Sequence, residues 1–290
     1  MPPSSIVYLL LTHHLPDLTH RLVRVLLDES PRSFVVVHHD FDKCALAPFD
    51  SPRVHVLRDW VVTRRSDMSA VRGTLRGIDW IDEHLDYRWI VLLSGQDYPI
   101  VPLARIEAEL LASPWDGYIR VATNAAEAAA LVRERYLRRW YSVRIPFRRR
   151  RKLTFSLPYN RVFRDGFECY KTSQWWMLSR VAVGHLRRFL ADRPDYWRQY
   201  ERSFIPDESF IQTAVLNGPA RICRDEHQRF LRWGVPGSRH PDVLTIRDYD
   251  AIVASGRWFA RKLNPQVCSQ LPDALDAHRR SLDVAAPAPL

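Results

Sequence analysis

Two adjacent carboxylates, Asp207 and Glu208, stand directly behind a proline in Ile205-Pro206-Asp207-Glu208-Ser209-Phe210-Ile211-Gln212-Thr213. Pro206 suits the first position of a helix, where its missing N–H costs nothing, and both acids fall in the first turn, where the dipole favours anions. The spacing predicts a turn that opens an amphipathic helix. A carboxylate at such a rim is where a general base would be placed. The same tripeptide also serves as ordinary capping, so the acids gain weight only from other residues. Asp40-Phe41-Asp42 is a second pair, and its one-residue spacing could hold Mg²⁺ or Mn²⁺. Asp97 sits just after an apolar run and before Tyr98-Pro99, so it either caps that turn or contacts a ligand.

The elements that must position these residues read as an alternation. Residues 5–11 are a buried strand, and Leu15 to Leu27 carry helical spacing. Phe34 to His39 is again strand-like, Val54 to Leu57 a short strand, Ser69 to His84 a helix, and Trp89 to Leu93 another buried strand. Short apolar runs between helical patterns predict an α/β fold with a mostly parallel central sheet flanked by helices. Ligands in such sheets bind beyond the carboxyl ends of the strands, which draws attention to His38-His39-Asp40 and to Ser94-Gly95-Gln96-Asp97. No glycine-rich phosphate loop follows either strand, which weakens dinucleotide and ATP readings.

At 290 residues, with 46% apolar residues and ten Trp, the chain can bury the core of a single α/β enzyme domain. No apolar run reaches the about 18 residues of a membrane span. The apolar opening reads as a first strand, and Cys44, Cys169, Cys223 and Cys268 are too dispersed for a zinc site. Reduced thiols and the absence of a leader pattern point to a cytoplasmic protein. The net charge of +10 comes mostly from arginine, since Lys43, Lys152, Lys171 and Lys262 are the only lysines. Arg148-Arg149-Arg150-Arg151-Lys152 is the densest cluster, fit for a solvated loop, an anionic acceptor or a peripheral membrane contact. No nucleic-acid motif accompanies it. The tail from 281 to 290 reads as disordered.

Four segments carry a resemblance. Ser94-Gly95-Gln96-Asp97-Tyr98-Pro99 resembles the "LSGxDYP" element of the core-2/I-branching β-1,6-N-acetylglucosaminyltransferase family, which includes xylosyltransferase-like and plant glucuronosyltransferase-like members. Thr172 to Arg180 resembles its "GSQWWxLSR", Pro206-Asp207-Glu208 its "PDE", and Arg239-His240-Pro241 with Trp258 to Leu263 its "HP…FARKF" ending. The order matches from about residue 5 to about 265. Thr172 replaces the family's glycine, and its "WGxxS" reads Arg65-Ser66-Asp67-Met68-Ser69.

The resemblance implies a GT-A-type fold in one domain over 1–280, with a donor half to about 120 and an acceptor half beyond. It implies inverting, metal-independent transfer of a sugar, GlcNAc or xylose favoured, from a UDP-sugar to an acceptor hydroxyl on a glycan, lipid-linked or small-molecule acceptor. Glu208 takes the base's place. Arg239 and Lys262 would meet the diphosphate in place of a metal, with Arg261 as a further donor contact and Asp40 in the uridine pocket. Asp97, Trp175 and Trp176 are candidates for sugar contact; on a strand the two rings face opposite ways, so at most one can stack on a sugar. No metal or other cofactor is expected. Two readings compete: a metal-dependent transferase using Asp40 and Asp42, and a non-catalytic sugar- or nucleotide-binding protein.

Overall fold

The computed structural model describes residues 4–144, 152–157, 167–234, 238 and 240–284. The first elements in chain order are β1 (Ser4–Thr12), α1 (Pro16–Asp28), β2 (Phe34–His39), β3 (Val54–Val56), α2 (Ser69–His84), β4 (Tyr87–Ser94), β5 (Tyr98–Pro99) and α3 (Leu103–Leu111). Then come β6 (Gly117–Val121), α4 (Ala125–Arg135), β7 (Arg139–Arg144), β8 (Lys152–Leu157), β9 (Thr172–Ser179), α5 (Arg180–Asp192) and α6 (Pro194–Tyr200). A 3-10 turn at Pro206–Glu208 precedes α7 (Phe210–Leu216), β10 (Ile222–Cys223) and β11 (Arg229–Leu231). A second 3-10 turn, Ile246–Asp248, leads into α8 (Tyr249–Ala254), β12 (Phe259–Arg261) and α9 (Gln270–Val284).

The chain forms two compact units, one from Met1–Trp60, Gly77–Pro114 and Gln228–Leu290, the other from Val61–Arg76 and Trp115–His227. In the first, β3, β2, β1 and β4 lie side by side, all parallel, with Val7 opposite both Phe34 and Ile90. Their continuous apolar runs suit a sheet covered on both faces, and Ile6 to Leu10 are fully buried. Helix α1 starts on Pro16 and buries Leu18, Leu22, Val23 and Leu26 along one stripe. On α2, a Cβ at Gly77 would lie 2.4 Å from Leu9 Cδ1, so only glycine allows that approach to β1.

The C-terminal segment completes this unit rather than the second. Strand β12 pairs antiparallel with β5 and parallel with β11. Helix α9 is tied to α1 by Arg21–Asp276 and, just beyond its end, by Arg279–Glu29 at 2.9 Å. Residues 228–290 thus belong to the same compact unit as the N-terminal strands, a placement that no local pattern marks, because strand pairing across such distances leaves none. The tail expected to be disordered from Ser281 is helical as far as Val284; residues 285–290 lie outside the described residues.

In the second unit β6 lies between parallel β10 and antiparallel β9, and β7 and β8 form an antiparallel hairpin. Tyr196, Tyr200 and Phe210 pack together at ring separations of 4.8 to 5.2 Å. Helix α7 corrects one expectation. All seven of its residues are buried, so the helix after Glu208 is not amphipathic.

Candidate functional site

Residues of chemical interest gather at one place in each unit. In the second unit the chain reaches Glu208 through a constrained turn. Ile205 adopts a left-handed backbone (φ 54°), an uncommon conformation for a β-branched residue. Its neighbours over-determine that shape: Phe204 N–H donates to Arg135 O at 2.8 Å, and Ile205 N–H to Ser66 O at 3.4 Å. Behind the turn, Gln212 Nε2 donates to Asp207 O at 3.0 Å and Thr172 Oγ1 to Glu208 O at 2.8 Å. Thr172, the departure from the family's glycine, thus anchors the backbone of the acid itself.

The Glu208 carboxylate is 31% exposed, and one oxygen carries both of its cations. Arg135 Nη1, at the end of α4, donates to Oε2 at 2.8 Å, and Lys171 Nζ, just before β9, lies 2.9 Å from the same atom. Among the described residues Oε1 has no partner. Asp207 differs: burial, followed by the Glu208 charge, pushes its carboxyl from 3.8 up to about 7. Sequence reasoning missed Arg135 and Lys171. The one available signal was the rarity of lysine, which singles out Lys171 beside the matched segment.

Trp176 and Trp175 alternate across β9 as expected, but they are 1% and 7% exposed. Both faces of the strand are covered, so both rings belong to the packed interior.

In the first unit Asp97 is fully buried and takes the turn-capping role. Its Oδ2 accepts from Ser94 N–H at 2.6 Å and Ser94 Oγ at 2.7 Å; its Oδ1 accepts from Arg229 Nε at 3.1 Å. Arg261 Nη1 lies 3.4 Å from Oδ2 and also donates to Ser94 Oγ. Arg261, expected at the donor, is thus committed to Asp97. Gln96 and Leu263 exchange two further bonds of 3.0 Å, stapling the turn after β4 to the end of β12.

Lys262 projects from that staple. It is half-buried, and among the described residues no carboxylate pairs with it. Burial and the neighbouring Arg261 charge hold its ammonium below the usual range. At the end of β1 the His13 and His14 rings stand 4.3 Å apart. Burial, His14 and Lys43 bring His13 down to about 4, and burial and Lys262 lower His14. The lowered imidazoles are neutral near pH 7, which leaves Lys262 as the cation of this group, and an anion beside it would favour its charged form. Asp40, also fully buried, lies 3.3 Å from Lys43 Nζ, and its N–H bonds Thr12 O at 3.0 Å.

Asp42, the other half of that acidic pair, is exposed and accepts from Trp60 Nε1 at 3.4 Å. Asp40 and Asp42 therefore have separate partners, and among the described residues no three His, Cys, Asp or Glu side chains are grouped to hold a metal ion. Arg239 and Arg148 to Arg151 lie outside the described residues; Lys152 opens β8. No helix among the described residues is long and apolar enough to cross a membrane.

Comparison with known proteins adds the family. Two relatives from Arabidopsis thaliana are the beta-glucuronosyltransferases GlcAT14B, 25% identical over 238 residues (79% of this chain, 51% of the relative), and GlcAT14A, 26% identical over 207 residues (67% and 44%). The chain spans about half the length of these relatives. Among solved structures, a galactosyltransferase, LgtC, with donor and acceptor analogues aligns over 95% of both chains at 8% identity and a TM-score of 0.46. A glycosyltransferase involved in the glycosylation of the major capsid of PBCV-1 aligns over 95% of this chain and 99% of its own at 10% identity and a TM-score of 0.40. The model of the core-2/I-branching enzymes matches residues 6–253, and with the four sequence segments in their order the chain belongs to that family.

Proposed function

We propose that the protein is an inverting glycosyltransferase with a GT-A-type fold that moves a sugar from a UDP-sugar to an acceptor hydroxyl, with Glu208 as general base and no metal. The observation that carries this reading is the asymmetric Glu208 carboxylate, held at Oε2 by Arg135 and Lys171. Two cations on one oxygen fix its direction and leave Oε1 to take the acceptor proton. As that proton leaves, the acceptor oxygen bonds to the anomeric carbon, while the bond from that carbon to the UDP phosphate oxygen breaks on the opposite face. The charge released on UDP needs a cation; Lys262, with Arg239, supplies it in place of a metal. Arg261 serves indirectly, since its bonds to Ser94 and Asp97 hold the strand from which Lys262 projects.

The test is Glu208→Gln, which should keep UDP affinity and lower turnover by about 10² or more. Near-normal turnover at saturating donor would move the base elsewhere. Asp207 is the second reading, favoured by a carboxyl pushed up to about 7, within reach of a neutral-pH base; then Asp207→Asn would abolish turnover instead.

For the donor, the family resemblance favours UDP-GlcNAc or UDP-xylose, and the names of the plant relatives add UDP-glucuronate. A thermal-shift series with the three, with and without EDTA, decides: a ligand at about 100 times its dissociation constant adds about 2.7 kcal/mol to stability. A shift that vanishes in EDTA would replace Lys262 and Arg239 by a metal.

A further inference from the structure

One cavity of the second unit plays no part in holding Glu208. It is an open cleft of about 520 Å³, in the range of ligand-binding clefts. Arg64, Arg72 and Arg202 line it, with Asp67, Glu201 and an apolar patch including Val62. Asp67 is already spent, since it accepts from Ser69 N–H at 2.9 Å and from the Ser69 hydroxyl. Among the described residues none of the three guanidinium groups is paired with a carboxylate. Arg202 instead lies over the Tyr141 ring, 4.7 Å from its centroid.

The cavity adjoins the turn that carries the base. Glu201 and Arg202 precede Glu208 by six or seven residues on one continuous segment, and Ile205 N–H joins that segment to Ser66, beside Asp67. The β7–β8 hairpin attaches at the same wall, where Trp140 N–H donates to Arg202 O at 2.7 Å. That hairpin offers aromatic faces: Tyr141 stacks on Phe155, which is 39% exposed, and Trp140 stacks on Phe204. Unpaired guanidinium groups beside aromatic and apolar walls suit a ligand with flat C–H faces and a negative group, since arginine meets carboxylate or phosphate in a bidentate fork.

We propose that the cavity walled by Arg64, Arg72 and Arg202 binds an acidic group on the acceptor, so that the acceptor is a saccharide bearing a carboxylate or phosphate. The inference rests on the glycosyltransferase reading above and names the acceptor class for it. It needs no donor contact from these arginines and no proton transfer.

The experiment is calorimetry with three probes: a glucuronate-terminated disaccharide, its carboxyl-reduced neutral counterpart, and the 6-phosphorylated form of the latter. At low salt the wild-type protein should bind at least one acidic probe about tenfold or more tightly than the neutral one. The carboxylate and phosphate arms tell which acid the cavity takes. In Arg64→Ser/Arg72→Ser that preference should fall below about twofold with neutral-probe affinity kept, and Arg64→Lys/Arg72→Lys should restore part of it. These side chains are exposed, so the variants should fold. Equal affinity for all three probes, or a preference that survives the serine variant, overturns the proposal. Glu208→Gln separates the two readings. If it keeps the acid preference and also normal turnover, the base assignment falls and the cavity stands. If turnover collapses while no acid preference exists in any variant, the cavity falls alone.

Discussion

Asp97 and Glu208 are both carboxylates flanked by two cations, yet their surroundings give them opposite uses. Asp97 has no exposed surface, and Ser94, Arg229 and Arg261 occupy both of its oxygens. Glu208 keeps 31% exposure and carries both cations on Oε2. A buried acid with both oxygens engaged holds chain segments together; an acid braced on one side only can still accept a proton. Ion-pair count does not separate the two cases, whereas the oxygen left open does.

The comparison breaks most visibly at Asp97. Asp97→Ala leaves Arg229, itself 2% exposed, as a buried charge without its main partner, and should cost about 3–5 kcal/mol in urea unfolding. Burial has already lowered Arg229 to about 10 against the pull of Asp97, so little reserve remains there. A loss under about 1 kcal/mol would mean that Asp97 is not a clamp. Glu208→Gln should do the reverse, shifting urea stability by about 1 kcal/mol or less, as for partly exposed pairs, while turnover falls. If both substitutions unfold the protein equally, the distinction between clamp and base is lost.

A smaller effect is expected at Lys262, the cation that Arg261 positions. Lys262→Ala should weaken UDP binding by about 1.5–3 kcal/mol in calorimetry and leave the unfolding midpoint nearly unmoved. Unchanged UDP affinity would assign the diphosphate to other groups.

The least expected change is a pH dependence at Asp207. Its carboxyl is pushed from 3.8 up to about 7 on folding, so the folded state holds the proton more tightly than the unfolded chain. That contribution is fully present below about pH 4 and is lost as pH rises through about 7. Asp207→Asn removes the titration, so its melting temperature should gain on wild type between pH 4 and pH 8. A difference that stays flat across that range counts against the perturbed acid.

Local patterns made much of the scaffold legible. β2 (Phe34–His39) and α2 (Ser69–His84) have the bounds their periodicity predicts, and β1 and β4 extend the predicted runs by one or two residues at each end. Parallel pairing followed from continuous apolar strands. What escaped depends on distant partners. β5 and β12 are two and three residues long, too short to carry periodicity, and exist through mutual pairing. Asp97 could be read as a cap or a ligand contact because Arg229, which decides the matter, lies 132 residues away. The turn that carries Glu208 was legible from Pro206 and the helix-start pattern. Arg135 and Lys171 were not, since each reaches it from another element.

The first unit is assembled from three stretches of chain, and that fixes an order of events during synthesis. Strands β1, β2 and β4 leave the ribosome early with their apolar runs complete. Asp97 emerges with them, but its partner Arg229 follows 132 residues later. At about 5–20 residues per second the nascent sheet carries an unanswered acid for roughly 7–26 s. Burying a lone carboxylate is costly enough to keep the turn after β4 open during the interval. A nascent chain stalled before Gln228 would therefore present that open turn and an unpaired β5 to chaperones, until β11 and β12 bring Arg229 and Arg261 to Asp97 and β12 pairs with β5.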